Sequence, residues 1–171
     1  MRLFLALSFG KQTLNRLAEL RDELRDASKR GNFTATENLH LTLVFIGECN
    51  AAQLHAAKAA ADAAVFGPLD IAVDCVGRFQ RTGGDIWWAG VRETAELIDL
   101  QKFLTARLNG SGFNADTRKY NPHITLGREV VTDMAPRGVK PFGETVTCIE
   151  LMKSERVSGR MMYTPVHVKS V

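Results

Sequence analysis

The sequence is poor in cysteine and histidine and contains no long apolar run. Its three cysteines, Cys49, Cys75 and Cys148, are odd in number and widely spaced, which fits neither a disulfide framework nor a CxxC metal or redox motif. We therefore expect them to be buried as small apolar residues. Charged residues or glycines interrupt each apolar stretch well before the roughly 18 residues that a membrane-spanning helix needs. The composition thus argues against a disulfide-rich protein and against a membrane protein.

Neither sign of charge is in large excess. The 22 basic residues are nearly matched by 19 acidic ones, and the net charge of +3 permits an anionic ligand without demanding broad nucleic-acid binding. With 171 residues, of which 45% are hydrophobic and 24% charged, the chain is long enough for one globular domain, 1–171, with a substantial core. The apolar start at residues 1–10 lacks a small-x-small cleavage site, so we interpret it as a core strand and expect a cytoplasmic protein.

Hydrophobic periodicity predicts strands and helices along the whole chain. The predicted strands are 2–9, 39–47, 69–79, 86–91, 122–128, 144–154 and 161–168. The predicted helices are a leucine-striped one around 14–24, an alanine-rich one at 51–64 with Asn50 as its N-cap and Gln53 three residues on, and one at about 95–108. A loop is predicted through Gly31 and Asn32.

One order of elements occurs twice. An apolar strand, a leucine-striped helix, a polar loop and a His-apolar-Thr-Leu strand follow one another in 2–43 and again in 86–126. This indicates an internal duplication with halves of roughly 1–85 and 86–171. We expect an α+β fold with two pseudo-symmetric lobes, each an antiparallel sheet with helices on its outer face, around a central cleft.

The repeated tetrapeptide carries the functional signal. His40 begins His-Leu-Thr-Leu and His123 begins His-Ile-Thr-Leu, although the chain has only four histidines. Two such matches by chance are expected on the order of once in ten thousand, whereas a single His-x-Thr would be interpreted as an ordinary half-buried strand residue. Because side chains alternate along a strand, His40 shares a face with Thr42, and His123 shares one with Thr125.

The residue types of these dyads favour acid-base chemistry on an anion. An imidazole titrates near neutral pH, so one histidine can be neutral while the other is protonated. Thr42 and Thr125 can donate hydrogen bonds to phosphate oxygens, and Arg128 can supply positive charge to the transition state, unless it is a solvated charge at the strand end. No carboxylate or cysteine accompanies either histidine at ligand spacing, which argues against a metal site.

These residues resemble the 2H phosphoesterase superfamily, specifically its bacterial and archaeal RNA 2′,3′-cyclic phosphodiesterases, also called 2′-5′ RNA ligases. The resemblance covers nearly the whole chain. The stretches that carry it are Arg-Leu-Phe-Leu-Ala-Leu at 2–7, Glu-Asn-Leu-His-Leu-Thr-Leu-Val-Phe-Ile-Gly at 37–47, Trp-Trp-Ala-Gly-Val at 87–91 and Asn-Pro-His-Ile-Thr-Leu-Gly-Arg at 121–128. In place of the aromatic-Val-Pro segment found in many relatives, this chain has Asn-Phe-Thr-Ala-Thr at 32–36.

The resemblance implies a metal-independent enzyme without a cofactor that opens a 2′,3′-cyclic phosphate to a 2′-phosphomonoester. His40 and His123 then occupy catalytic positions, and Thr42, Thr125 and Arg128 occupy substrate-binding positions. By the same resemblance His123 is the base toward water and His40 the acid toward the 3′ oxygen, although pseudo-symmetry allows the reverse. The expected partner is RNA with a 2′,3′-cyclic phosphate end or a small nucleotide, and we expect a monomer.

Other readings of the same residues stay open at this point. The site could act on another small cyclic phosphate or join 2′-5′ linked ends in the reverse reaction, and a non-catalytic nucleotide- or RNA-binding module would keep the cleft without turnover. Two complete His-x-Thr dyads argue against the binding module, because a binder has no need for two titrating imidazoles. Arg118, Lys119 and Tyr120 form either a solvated loop or a contact with RNA backbone and base.

Overall fold

Nine strands and three α-helices account for most of the chain in a computed structural model that describes residues 1–171. The strands are β1 (Arg2–Leu7), β2 (Ser28–Phe33), β3 (Leu41–Glu48), β4 (Leu69–Phe79), β5 (Asp85–Val91), β6 (His123–Thr132), β7 (Arg137–Val146), β8 (Cys148–Val157) and β9 (Arg160–Ser170). The helices are α1 (Lys11–Asp26), α2 (Ala51–Asp62) and α3 (Ala95–Gly110). A 3-10 turn at Thr36–Asn38 precedes the first His-x-Thr dyad.

The strands form two antiparallel sheets. A four-stranded sheet has the order β3-β1-β8-β9, and a five-stranded sheet has the order β2-β6-β5-β4-β7. In each sheet, the strand that carries the dyad threonine pairs with an apolar strand. Thr42 on β3 lies beside β1, and Thr125 on β6 lies beside β5. Strands β3, β1, β8 and β9 therefore correspond in position to β6, β5, β4 and β7, with β2 added at the β6 edge.

The two-lobed α+β architecture expected from the sequence is confirmed. Helices α2 and α3 pack on the four-stranded sheet, whereas α1 packs on the five-stranded sheet. One connected cluster of 33 buried hydrophobic residues includes members of both sheets, so the lobes share a core. This arrangement leaves the opposite surfaces of β3 and β6 directed toward the cleft between the sheets.

The lobes do not coincide with consecutive halves of the chain. Strands β2 and β4 come from residues 1–85 but lie in the five-stranded sheet, and β8 and β9 come from residues 86–171 but lie in the four-stranded sheet. Helix α1 likewise covers the sheet that holds β6. The duplication into 1–85 and 86–171 stays a prediction about the sequence pattern, and each lobe is assembled from both halves.

Two predicted element boundaries are wrong. The loop expected through Gly31 and Asn32 belongs to β2, a polar edge strand without apolar alternation. Hydrogen bonds to β6, rather than burial of one face, hold β2 in place. The strand expected over 144–154 is two strands, β7 and β8, with Thr147 between them. Pro141 hid the first part of β7, and proline is tolerated there because β7 lies at a sheet edge.

The predicted start of α2 is confirmed. Asn50 caps α2 in a capping box, in which the backbone amide of Gln53 donates to Asn50 Oδ1 and the amide of Asn50 donates to Gln53 Oε1, both at 2.9 Å. The expected burial of the three cysteines holds for Cys49 alone, because Cys75 and Cys148 are only half-buried; all three are free thiols. None of the helices combines the length and apolar character required to cross a bilayer.

Candidate active site

The two His-x-Thr dyads line one cavity between the sheets. We call this space of about 500 Å³ the dyad cavity; its lining includes His40, Thr42, His123, Thr125 and Arg128. The structure therefore brings together all five residues selected from the sequence. The other lining residues are Arg2, Phe4, Thr34, Asn38, Phe45, Ser154, Met161 and Tyr163.

Strand alternation explains how each dyad reaches the cavity. On the opposite face of β3, Leu41 and Leu43 are at most 2% exposed, and on β6 Ile124 and Leu126 are fully buried. The histidines and threonines between them are half-buried on the cleft side. Apolar anchoring on one face thus fixes the polar groups on the other.

Backbone carbonyls orient both imidazoles in the same way. His40 Nδ1 lies 2.7 Å from the Asn38 carbonyl oxygen, and His123 Nδ1 lies 2.6 Å from the Asn121 carbonyl oxygen. A carbonyl oxygen only accepts, so Nδ1 carries a hydrogen in each ring and Nε2 is the nitrogen available for proton exchange. His40 Nε2 lies 2.9 Å from Thr42 Oγ1, whereas His123 Nε2 makes no hydrogen bond within the protein.

Aromatic rings hold each imidazole from the side. The His40 ring lies 4.9 Å from the Phe4 ring and 5.1 Å from the Tyr163 ring, measured between centroids. The His123 ring has an equivalent pair of neighbours, Phe79 at 5.1 Å and Trp88 at 6.2 Å. Aromatic rings packed at these distances restrict rotation of the imidazoles.

The surroundings favour the neutral form of both histidines. Burial lowers the pKa of His40 from its ordinary value of 6.5, and the positive charges of Arg128 and protonated His123 lower this pKa further, against the bond to Asn38. Burial also lowers the pKa of His123, again reinforced by Arg128 and opposed by the bond to Asn121. The mutual repulsion means that protonation of one imidazole disfavours protonation of the other, which suits a pair that shares one proton.

A bulge in β6 directs Arg128 into the cavity. Against β5, β6 has one extra residue between Thr125 and Gly127 and another between Gly127 and Val130. Against β2 it has one between Arg128 and Val131, where Glu129 adopts a positive φ of 53°. Simple alternation would turn Arg128 away from the face of His123 and Thr125. The bulge interrupts that alternation, so the exposed Arg128 lines the cavity with the dyads.

The loop before the second dyad does not contribute to the cavity lining. Tyr120 is half-buried and donates from its hydroxyl to the Thr42 carbonyl oxygen at 2.7 Å, and burial raises its pKa. Arg118 pairs with Asp116, and Lys119 lies 3.9 Å from Glu93 on the outer surface. Tyr120 therefore stabilises β3 through this hydrogen bond, and its ring is not available to stack on a base in the dyad cavity.

The other lining residues of the dyad cavity lie outside the two His-x-Thr motifs and were not predicted from the sequence. Asn38 had a signal, since it lies two residues before His40; its side-chain amide donates to the Met161 carbonyl oxygen at 2.9 Å and ties this turn to β9. Thr34 donates from its hydroxyl to the Thr125 carbonyl oxygen at 2.9 Å. Ser154, Met161 and Tyr163 come from strands without a repeated motif, so only the β1-β8-β9 pairing brings them to the cavity.

The remaining histidines lie elsewhere. His55 is exposed on α2, and His167 Nε2 lies 2.6 Å from Asp62 Oδ1. No group of three or more histidine, cysteine, aspartate or glutamate side chains is arranged to hold a metal ion. Metal independence is therefore a prediction to be tested by chelation.

A two-lobed α+β fold with a His-x-Thr dyad on each side of its cleft defines the 2H phosphoesterase class. The chain belongs to the 2′-5′ RNA ligase superfamily, whose family model matches residues 9–156. The family resemblance noted in the sequence is thereby confirmed.

Curated relatives support this membership. The chain is 34% identical over 140 residues to an RNA 2′,3′-cyclic phosphodiesterase of Escherichia coli, a match that covers 80% of this chain and 77% of the relative. It is 31% identical over 151 residues to a protein of the same name from Archaeoglobus fulgidus, with coverage of 84% and 85%.

Solved structures have the same overall fold. A crystal structure of E. coli LigT in complex with 3′-AMP superposes with a TM-score of 0.82 at 28% identity, covering 99% of this chain and 96% of that chain. The crystal structure of TT0787 from Thermus thermophilus also gives 0.82, at 27% identity, with coverage of 99% and 97%.

Proposed function

We propose that this protein is an RNA 2′,3′-cyclic phosphodiesterase that converts the cyclic end to a 2′-phosphomonoester with His40 and His123 as acid and base. The observation that carries the proposal is that both imidazoles bond through Nδ1 to a backbone carbonyl and line one cavity beside Arg128. Family membership and the names of the relatives support the substrate class.

The proposed reaction is an in-line displacement at phosphorus. A water oxygen attacks as His123 Nε2 takes its proton, and the bond between phosphorus and the 3′ oxygen breaks as protonated His40 donates its Nε2 proton to that oxygen. The products are a 2′-phosphomonoester and a free 3′-hydroxyl. The pair then holds its single proton on His123, and exchange with solvent returns the proton to His40.

The surrounding polar groups support the charge that develops on the phosphoryl oxygens. Thr42 and Thr125 reach the cavity from opposite strands, and Arg128 provides a guanidinium without a carboxylate partner at salt-bridge distance. Hydrogen-bond donors fixed before the reaction stabilise such charge more than mobile water does, because little reorganisation is needed.

The assignment of His123 as base and His40 as acid rests on a difference between the dyads. His123 Nε2 has no protein partner and is free to accept a proton from water, whereas His40 Nε2 is paired with Thr42. A cyclic substrate with sulfur in place of the 3′ oxygen needs little protonation of its leaving group. We expect this substrate to restore turnover to His40→Ala but not to His123→Ala; the opposite pattern would reverse the roles.

The central test is hydrolysis of a nucleoside 2′,3′-cyclic phosphate in EDTA, followed by chromatographic separation of the 2′ and 3′ isomers. We expect the 2′ isomer alone, and a loss of roughly two to four decades in kcat for either histidine changed to alanine. His55→Ala is the matched control, since His55 is exposed outside the cavity. Complete loss of activity in the chelator, or full activity in either cavity variant, would contradict the proposal.

The same assay separates the other readings of the site. A binding module would retain nucleotide in the dyad cavity without releasing a phosphomonoester. An enzyme for a different small cyclic phosphate would turn over that compound but leave RNA ends intact. Ligation would appear as 2′-5′ linked product when the 5′-hydroxyl partner is supplied in excess.

A further inference from the structure

A second, larger cavity opens from the dyad cavity. It has a volume of about 890 Å³ and shares five lining residues with the dyad cavity: Thr34, Asn38, Arg128, Met161 and Tyr163. We call it the arginine groove, because Arg81, Arg128, Arg156 and Arg160 all line it. Any chain attached to a ligand in the dyad cavity can pass directly into this groove.

The positive charge of the groove is not neutralised by ion pairing. Half of the arginines form carboxylate pairs within 4.0 Å: Arg16, Arg21, Arg25, Arg78, Arg92, Arg118 and Arg137. None of the four groove arginines is among them, and the groove lining contains only two carboxylates, Glu37 and Glu129. Unpaired guanidinium groups concentrated in one concave surface favour a polyanion.

The arginines come from both lobes. Arg81 lies in the turn between β4 and β5, where its Nη1 donates to the Gln80 carbonyl oxygen at 2.8 Å and its guanidinium lies 5.7 Å from the Phe79 ring centroid. Arg156 and Arg160 flank the turn between β8 and β9, and Arg156 Nη1 donates to the Gly159 carbonyl oxygen at 3.3 Å. The positive groups therefore line two sides of the groove.

Apolar and aromatic faces alternate with these charges. Phe33, Ile86, Met161 and Tyr163 are also part of the groove lining. Single-stranded nucleic acid is bound by this combination, since guanidinium groups contact phosphates while flat apolar side chains contact bases. A protein surface that required only one small anion would not need three arginines beyond Arg128.

We propose that the arginine groove binds the nucleotides on the 5′ side of the cyclic phosphate, so that the enzyme prefers an oligoribonucleotide end to a nucleoside cyclic phosphate. This inference rests on the proposed function. Direction follows from the chemistry of the end: the cyclic phosphate occupies the 2′ and 3′ oxygens of the terminal ribose, and the chain continues only through the 5′ oxygen. Arg81, Arg156 and Arg160 are then specificity-determining residues.

The test compares kcat/KM for a short oligoribonucleotide and for the matching nucleoside, each with a 2′,3′-cyclic phosphate. Binding of single strands weakens with salt by a log-log slope of about −0.7 for each phosphate neutralised, so three contacts give about −2. Raising salt from about 50 to 200 mM should therefore reduce kcat/KM for the oligomer by roughly 20-fold more than for the nucleoside.

Single variants identify the contacts. Arg81→Gln, Arg156→Gln and Arg160→Gln should each lower the ratio of oligomer to nucleoside kcat/KM and make the salt slope shallower by about 0.7. Arg107→Gln on α3 is the matched control, because Arg107 is exposed, has no carboxylate partner and lies outside both cavities. We expect Arg107→Gln to leave kcat/KM unchanged for both substrates. Thermal melts check that all four variants remain folded.

The outcomes separate this inference from the proposed function. The inference would be overturned if the enzyme hydrolysed the nucleoside cyclic phosphate as efficiently as the oligomer, or if the groove variants lowered kcat/KM equally for both substrates. Either result would leave the proposed function intact. Failure to hydrolyse either substrate would overturn both. A loss of oligomer preference in Arg107→Gln as large as in the groove variants would show that the effect is general charge and not the groove.

Discussion

The two dyad threonines provide a test of how the site binds phosphate, because their hydroxyls have different surroundings. Thr125 Oγ1 makes no hydrogen bond within the protein, whereas Thr42 Oγ1 lies 2.9 Å from His40 Nε2. Both side chains are half-buried on the cleft side of their strands. Valine has nearly the shape of threonine and the same β-branch, so Thr42→Val and Thr125→Val remove one hydroxyl each with little change in packing or strand propensity.

The expected losses follow from these contacts. Removal of one donor aimed at the charge that develops in a transition state costs about 2.7 to 4 kcal/mol, or roughly 100- to 1,000-fold in kcat. Thr125→Val should lose about this much. Thr42→Val should lose the same amount and, in addition, the hydrogen bond that orients His40 Nε2, for which a further 0.5 to 1.5 kcal/mol, about two- to tenfold, is typical. We therefore expect Thr42→Val to be the slower enzyme.

The assay is steady-state hydrolysis of a nucleoside 2′,3′-cyclic phosphate at saturating substrate, with urea unfolding to verify that the free energy of unfolding changes by less than about 1 kcal/mol. Thr42→Ser and Thr125→Ser are the matched controls, and we expect both to retain most of the activity because the hydroxyl is kept. If Thr125→Val kept a kcat close to that of the wild type, its hydroxyl would not contact the reacting phosphate. A slower Thr125→Val than Thr42→Val would contradict the role given to the His40 contact.

Three further predictions concern pH and packing. Burial, reinforced by Arg128, lowers the pKa of His40 and of His123 below 6.5, so the form of the pair that holds one proton declines as the pH rises above 6.5. We therefore expect kcat/KM to be highest on the acidic side of pH 6.5. A maximum on the alkaline side would contradict a pair that shares one proton. Just below pH 6.5 the folded chain binds fewer protons than the unfolded chain, so the free energy of unfolding should decrease as the pH falls from 6.5 through the lowered pKa values. Urea titrations at several pH values measure this decrease, and we expect it to be smaller in His40→Gln. Gly77→Ala should destabilise the protein by about 1 to 3 kcal/mol, because a Cβ there would lie 2.4 Å from the Trp88 ring that packs beside His123. Gly67→Ala is its control in urea unfolding, since no atom lies within 4 Å of that Cβ, and equal midpoints for the two variants would show that the indole moves without cost.

Local order was predictable wherever the sequence repeats a physical pattern. Leucine spacing predicted α1 and α3, the Asn50 and Gln53 pair predicted the start of α2, and alternation placed His40 and Thr42 on one face of a strand with Leu41 on the other. The polar edge strand β2 and the first part of β7, which contains Pro141, were not predicted, because backbone ladders hold these segments and leave little trace in side-chain periodicity.

The residues that line the dyad cavity were predictable only in part, because some of them reach it only through pairing between distant strands. A residue was selected when its own segment carried a motif, as with His123, Thr125 and Arg128. Tyr163 and Met161 lie beside the first dyad only because β8 and β9 return to the sheet formed by β1 and β3. No local pattern encodes such a long-range pairing.

The sequence by itself determined the chemical groups of the site and the faces on which they lie, since strand alternation is a property of neighbouring residues. Tertiary structure decided which groups meet. Pairing across distant segments assembles each lobe from both halves of the chain, the bulge in β6 directs Arg128 into the cavity, and two turns from different lobes bring Arg81, Arg156 and Arg160 to one groove. Hydrogen-bond ladders between strands set these distances, and a ladder depends on both partners at once, so it cannot be inferred from either segment alone.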